Sequence, residues 1–158
     1  MCFRIIIVED NHEKALQVQT VIEKTELNLE IEVSPTLTEA EDAIRKGSFD
    51  LMVLDISMDI SEGGNEFFSD NHDMLGGLRF AKELFLNALE LPTIVVTAHE
   101  SFLEKSANKA QVSSFMSISD LKNEFSDLLG DLFLGVVRYQ KTGWDAQLFT
   151  LVSEATDI

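Results

Sequence analysis

The chain has 158 residues, 45% of them hydrophobic, which suits one globular domain with a real core and excludes a disordered segment. Its 28 acidic residues against 12 basic ones leave a formal net charge of -16, which argues against nucleic acid or an anionic membrane as the main partner, because both require a positive surface. The single cysteine, Cys2, cannot form an internal disulfide, the apolar run before Glu9 is too short for a secretory signal, and no run is long enough to span a bilayer, so a cytoplasmic location is expected.

Taken in chain order, "FRIIIV" is a short β-branched run that reads as a buried parallel strand, stopped by Glu9, Asp10 and Asn11. A helix follows over 12–23, with Ala15, Val18, Val21 and Ile22 on its apolar face. "EIEV" (30–33) alternates and reads as an edge-like second strand. Thr38, with Glu41 three residues on, reads as the capping box of a second helix that runs to about Arg45 and stops at Gly47. "DLMVLD" is a third buried strand, ending on Asp55. A long polar loop then leads to Gly77, and a helix covers 78 to about 89, with Pro92 as punctuation. "TIVVTA" is a fourth strand. A polar helix is expected from about 101 to 110, a fifth strand at "SSFMSI" (113–118), and a long helix from about Ser119, with Lys141, Thr142 and Gly143 as its stop.

Five strands alternating with helices point to a parallel sheet covered on both faces, with right-handed crossovers. In the flavodoxin-like, doubly wound order 2-1-3-4-5, the first and third strands are neighbours across the switch point, where ligands bind beyond the carboxyl ends of the strands. Glu9 and Asp10 should therefore meet Asp55. Carboxylates that close repel one another unless a cation sits among them, and hard oxygen ligands suit Mg²⁺. A carboxylate beside such an ion can also act as a nucleophile toward a phosphoryl group.

In "IIIVEDN" (5–11), "FDLMVLDISM" (49–58), "GLRFAKEL" (77–84), "LPTIVVTA" (91–98) and "SDLKNE" (119–124), the chain resembles the receiver domains of two-component response regulators, in particular the stand-alone chemotaxis type. The resemblance implies a receiver-like domain over 1–140, with an insertion at about 57–76 and a C-terminal extension over 141–158. It implies that Asp55 is the phosphoacceptor and that Glu9, Asp10, Asp55 and the backbone carbonyl of Ser57 ligate Mg²⁺. It implies that Thr97 supplies a switch hydroxyl and Phe115 the switch aromatic, and that the phosphoryl group comes from a histidine kinase or phosphotransfer protein. No enzyme activity is implied beyond slow, Mg²⁺-dependent self-phosphoryl transfer and hydrolysis.

Three departures stand against that pattern. Receivers carry a lysine at the end of strand five; aligned on Phe115 its place falls on Ile118, and no lysine lies in "SSFMSIS". Losing that cation should weaken coupling between phosphate and surface change. The loop between Asp55 and Gly77 is enlarged, contains Asp59, Glu62, Glu66, Asp70 and Asp73, and has no lysine or arginine. It could cover the site, anchored by Phe67 and Phe68; His72 in it lacks the spaced partners of a metal site. The last helix shows Leu121, Phe125, Leu128, Leu132, Val136 and Tyr139 on one stripe, widened by Leu129, Phe133 and Val137, so it could pack on residues 145–152 or on a second copy of the chain. Close packing could offset the helix cost of Gly130 and Gly135.

Two functions follow. The first is a phosphoacceptor that signals by phosphorylation-dependent binding of a downstream protein. The second is a pseudo-receiver, a phosphorylation-independent interaction module on the same fold. A haloacid-dehalogenase-type phosphatase would want a second aspartate two residues after Asp55, where Ser57 stands.

Overall fold

The computed structural model describes residues 2–25, 27–59, 72–73, 75–103 and 115–157. Five parallel strands, β1 (Phe3–Val8), β2 (Leu29–Ser34), β3 (Leu51–Leu54), β4 (Thr93–Thr97) and β5 (Phe133–Arg138), form one sheet in the order β2-β1-β3-β4-β5. This is the doubly wound order expected from the sequence. The interior strands are apolar on both faces because both faces are covered. Along β1, Ile6 and Val8 enter one core and Ile5 and Ile7 the other, and all four are 0–1% exposed.

Helices α2 (Leu37–Lys46), α3 (Gly76–Leu86) and α4 (Ile118–Leu129) cover the first face, with Ala40, Ile44, Phe80, Leu84, Leu121 and Phe125 buried there. Helices α1 (His12–Glu23) and α5 (Trp144–Thr156) cover the second, through Val18, Val21, Ile22, Leu148 and Val152. Asn11 caps α1 by accepting a hydrogen bond from the Lys14 backbone N–H at 3.0 Å. Helix α2 starts earlier than expected: Thr36, not Thr38, is the cap and accepts from the Glu39 N–H at 3.1 Å. Glu41, expected to close a capping box, pairs instead with Arg45 one turn on.

The second half of the chain departs from the sequence expectation in register. Residues Ser101–Leu103, expected as the start of a helix, form a short strand; the rest of that expected helix lies outside the described residues. Their partner is Phe115–Ser117, in an antiparallel pair separate from the sheet. The segment expected as strand five is thus one arm of a side hairpin, and Phe115 does not lie in the sheet.

The true fifth strand is the stretch expected to prolong the last helix. Helix α4 ends at Leu129 because Gly130 takes φ +56°, a conformation that costs a side chain, and a 3₁₀ turn over Gly130–Leu132 reverses the chain into β5. The apolar stripe that looked too wide for one helix is explained by this break. Leu121, Phe125 and Leu129 face the core from α4, while Val136 and Val137 point to opposite faces of β5. Residues 133–137 of the surface from which a homodimer was expected are therefore strand β5, paired with β4 at one edge of the sheet. Gly135 sits where the β4–β5 register shifts, and a Cβ there would lie 3.2 Å from Leu151 Cδ1. Gly143, expected to stop a helix, is the residue before α5.

Within the enlarged loop, Met58–Asp59 pairs antiparallel with His72–Asp73. Phe67, Phe68 and the other acids of that loop, at 62, 66 and 70, lie outside the described residues. Among the described residues no helix is long and apolar enough to cross a membrane.

Candidate functional site

The carboxyl ends of β1 and β3 lie side by side, with Val8 opposite Leu54 in register. Each strand runs directly into acid. Glu9 and Asp10 follow β1, and Asp55 follows β3, its N–H donating to the Val8 carbonyl at 3.0 Å. Glu9 and Asp55 are buried at 4% and 6% exposure, and Asp10 is exposed. One oxygen from each of the three carboxylates lies within 4.8 Å of the others. The topology thus joins the acids that the sequence reading singled out. Three hard oxygen donors at this spacing fit a divalent ion such as Mg²⁺, with the exposed Asp10 leaving a side open for water ligands.

Helix α3 locks the Asp55 turn in place. The Gly77 N–H donates to the Ile56 carbonyl at 2.7 Å, and a Cβ at Gly77 would fall 2.2 Å from the Asp55 carbonyl oxygen. Only glycine permits that approach of helix to turn. Ser57 is buried two residues beyond Asp55. Thr97, at the end of β4, is fully buried; its Oγ1 accepts from the His99 N–H at 3.2 Å, and its carbonyl accepts from the Tyr139 N–H.

The sequence reading missed the cation. Lys14 projects from the first turn of α1 into the pocket, and its side chain is only 7% exposed. Its Nζ donates to Asp55 Oδ1 at 3.0 Å and to the Val96 carbonyl at 2.9 Å, and it pairs with Glu9 Oε1. The other Glu9 oxygen accepts from the Asn11 N–H at 3.1 Å. One signal was available: Lys14 precedes Val18 by four residues, so it lies on the apolar face of its helix. Burial, and then the charge of Asp55, push the Glu9 carboxyl up to about 8, with the Lys14 charge pulling the other way.

The end of strand five also looks different once the strand is correctly placed. Its last residue is Arg138, opposite Thr97 in register, rather than Ile118. Arg138 turns outward and pairs with Glu100 at 2.6 Å. Behind Lys14 stands Tyr139. Lys14 Nζ is 5.7 Å from the centre of its ring, its hydroxyl donates to Gln17 Oε1 at 2.7 Å, and its ring meets Trp144 edge-on at 5.0 Å.

Solved structures similar to this chain include response regulators and their receiver domains. They include a response regulator from Thermotoga maritima (12% identity, 100% of both chains covered, TM-score 0.64). The chemotaxis response regulator CheY4 of Vibrio cholerae matches at 15% identity over 98% of this chain and 99% of that one, with a TM-score of 0.62. The phosphorylated cyanobacterial phytochrome response regulator RcpA matches at 16% identity over 99% and 93%, with a TM-score of 0.60. No protein-family model matches the chain, and no curated protein matches it at a significant level.

Proposed function

We propose that the chain is a phosphoacceptor signalling protein of the cytoplasm, taking a phosphoryl group on Asp55 from a histidine kinase or phosphotransfer protein. The observation that carries this reading is the convergence of Glu9, Asp10 and Asp55 within 4.8 Å at the switch point of a receiver fold. Likeness to a structure described as a phosphorylated response regulator supports it.

In this reading Glu9, Asp10, Asp55 and the backbone carbonyl of Ser57 would hold Mg²⁺, which when bound neutralises charge on an incoming phosphoryl group. One Asp55 oxygen attacks phosphorus. The Oδ–P bond forms as the P–N bond to the donor imidazole breaks, and the electron pair leaves on the imidazole nitrogen. Burial keeps the Asp55 carboxylate sparsely hydrated and oriented by Lys14 and the β3 backbone. The Thr97 hydroxyl, at the end of the adjacent strand, donates to a phosphoryl oxygen. Phe115 keeps a switching role only if the side hairpin carries it, since it has no place in the sheet. The output is binding of a downstream protein, with self-phosphoryl transfer and hydrolysis slow.

A second reading draws on one specific observation. Lys14 already neutralises part of the pocket charge, which favours a phosphorylation-independent interaction module. Incubation with acetyl phosphate or phosphoramidate and Mg²⁺, followed by intact mass, separates the two. A single phosphoryl adduct that vanishes in Asp55→Ala is expected. A wild-type protein that takes none is the second kind.

A further inference from the structure

We propose that Lys14 is the phosphoryl-contacting cation of this site, supplied by the first helix instead of by strand five, and that the Tyr139–Trp144 pair behind it carries its movement to the start of α5. The proposal rests on the phosphoacceptor reading of Asp55 and adds the residue that couples that site to a surface.

Three observations lead to it. Lys14 is a buried ammonium with three acceptors, two of them the carboxylates at which the chemistry is placed. Its four-carbon stem gives the head group reach and freedom to exchange partners. Arg138, the residue at the end of β5, is committed to Glu100 on the outside, with its side chain 24% exposed.

An ammonium resting on Glu9 and Asp55 is a tethered competitor for a divalent ion that needs the same oxygens. Once the ion arrives and Asp55 is esterified, Asp55 loses charge and the phosphoryl oxygens gain it. The nearest cation then follows the charge, leaving Glu9 and the Val96 carbonyl for a phosphoryl oxygen. Tyr139 feels that shift because its ring lies within cation–π range of Nζ and its hydroxyl is fixed on α1 through Gln17. Trp144, in edge contact with Tyr139, is the first residue of α5 and the single tryptophan of the chain. It reports the shift directly.

Wild type, Lys14→Met and Arg138→Met are each titrated with Mg²⁺ and then treated with phosphoramidate. The readouts are intact mass and Trp144 emission. Wild type should gain the adduct and change its emission. Lys14→Met should bind Mg²⁺ more tightly, on the order of tenfold, because a like charge has left the pocket. It should still take the adduct, yet lose the emission change. Arg138→Met should behave as wild type. An unchanged emission response or no gain in Mg²⁺ affinity in Lys14→Met, or a response lost in Arg138→Met, overturns the assignment while the wild-type adduct keeps the phosphoacceptor reading. No adduct on wild type defeats that reading and the assignment with it. Should Lys14→Met fail to fold, ¹⁵Nζ lysine spectra of wild type decide. The Lys14 ammonium signal should move on phosphorylation, and a stationary signal overturns the proposal.

Discussion

Among the described residues, a buried set of ion pairs around Lys14 and an exposed pair between Arg138 and Glu100 stand at the carboxyl edge of the same sheet. Arg138 and Glu100 meet at 2.6 Å, but Glu100 is 80% exposed. Lys14 and Asp55 meet at 3.0 Å, and both are 7% exposed. Water screens the first pair and has left the second, so removing one partner has different consequences. Outside, the survivor is rehydrated. Inside, Glu9 and Asp55 would face each other with no counter-charge. Burial decides which contact the fold depends on.

The comparison is tested most severely by disrupting the buried region without touching a charge. Gly77→Ala drives a methyl group into the Asp55 carbonyl, a backbone atom that cannot turn aside. Helix α3 and the Asp55 turn must separate, at a cost of about 5 kcal/mol, the range reserved for a named structural fault. Urea unfolding should show it, and a change under about 1 kcal/mol would mean that the turn is not held as described. Lys14→Met comes next. Without metal it should cost about 3 kcal/mol, the usual result of stranding buried charge, and saturating Mg²⁺ should restore most of the loss. A loss that Mg²⁺ leaves untouched would deny a shared site for the two cations.

The legibility of the molecule follows the same division. Strands β1, β3 and β4 are unbroken apolar runs that end on polar residues, and such runs are visible in any sequence. The acids at their ends could be joined by topology alone, because doubly wound sheets put strands one and three together. Strand β5 was hidden because Leu132, Val136 and Tyr139 continue the three-and-four spacing of Leu121, Phe125 and Leu128. A strand buried on both faces and a buried helix look alike over six residues. Gly130 was the available clue, since its positive φ ends α4 and releases the chain into the sheet. Misplacing strand five moved the expected lysine to Ile118 and hid Arg138. Lys14 went unread for a different reason: its value lies in three contacts, with Glu9, Asp55 and Val96, that no local pattern encodes.

A pH series sharpens the comparison further, since the two pairs should pull in opposite directions. The Glu9 carboxyl is raised from 4.5 to about 8 in the folded chain, so the fold holds a proton that the unfolded chain gives up. Stability from this group is full below the unfolded value and declines as pH rises through the folded one. Metal-free protein should lose a few degrees of Tm, on the order of 5 °C, between pH 5 and 8, and Glu9→Gln should flatten that slope. A slope unchanged in Glu9→Gln would place its origin elsewhere.

The smallest effect belongs to the outer pair, and its sign is the reverse. The Arg138 hydrogen bond and charge hold Glu100 below the ordinary carboxylate range. Whatever stability it gives is therefore present above the unfolded pKa and lost as pH falls through the folded one. Glu100→Gln should leave the melting curve at neutral pH almost unmoved and remove only a slight acid-side dependence. Half-molar salt should produce the same result in wild type, because an exposed pair lies within reach of screening ions. The Lys14 contacts with Glu9 and Asp55, buried at 4–7% exposure, should keep their pH slope under the same salt. If salt flattened both slopes alike, burial would not shield Lys14, Glu9 and Asp55 from screening and the distinction between the inner and outer pairs would vanish.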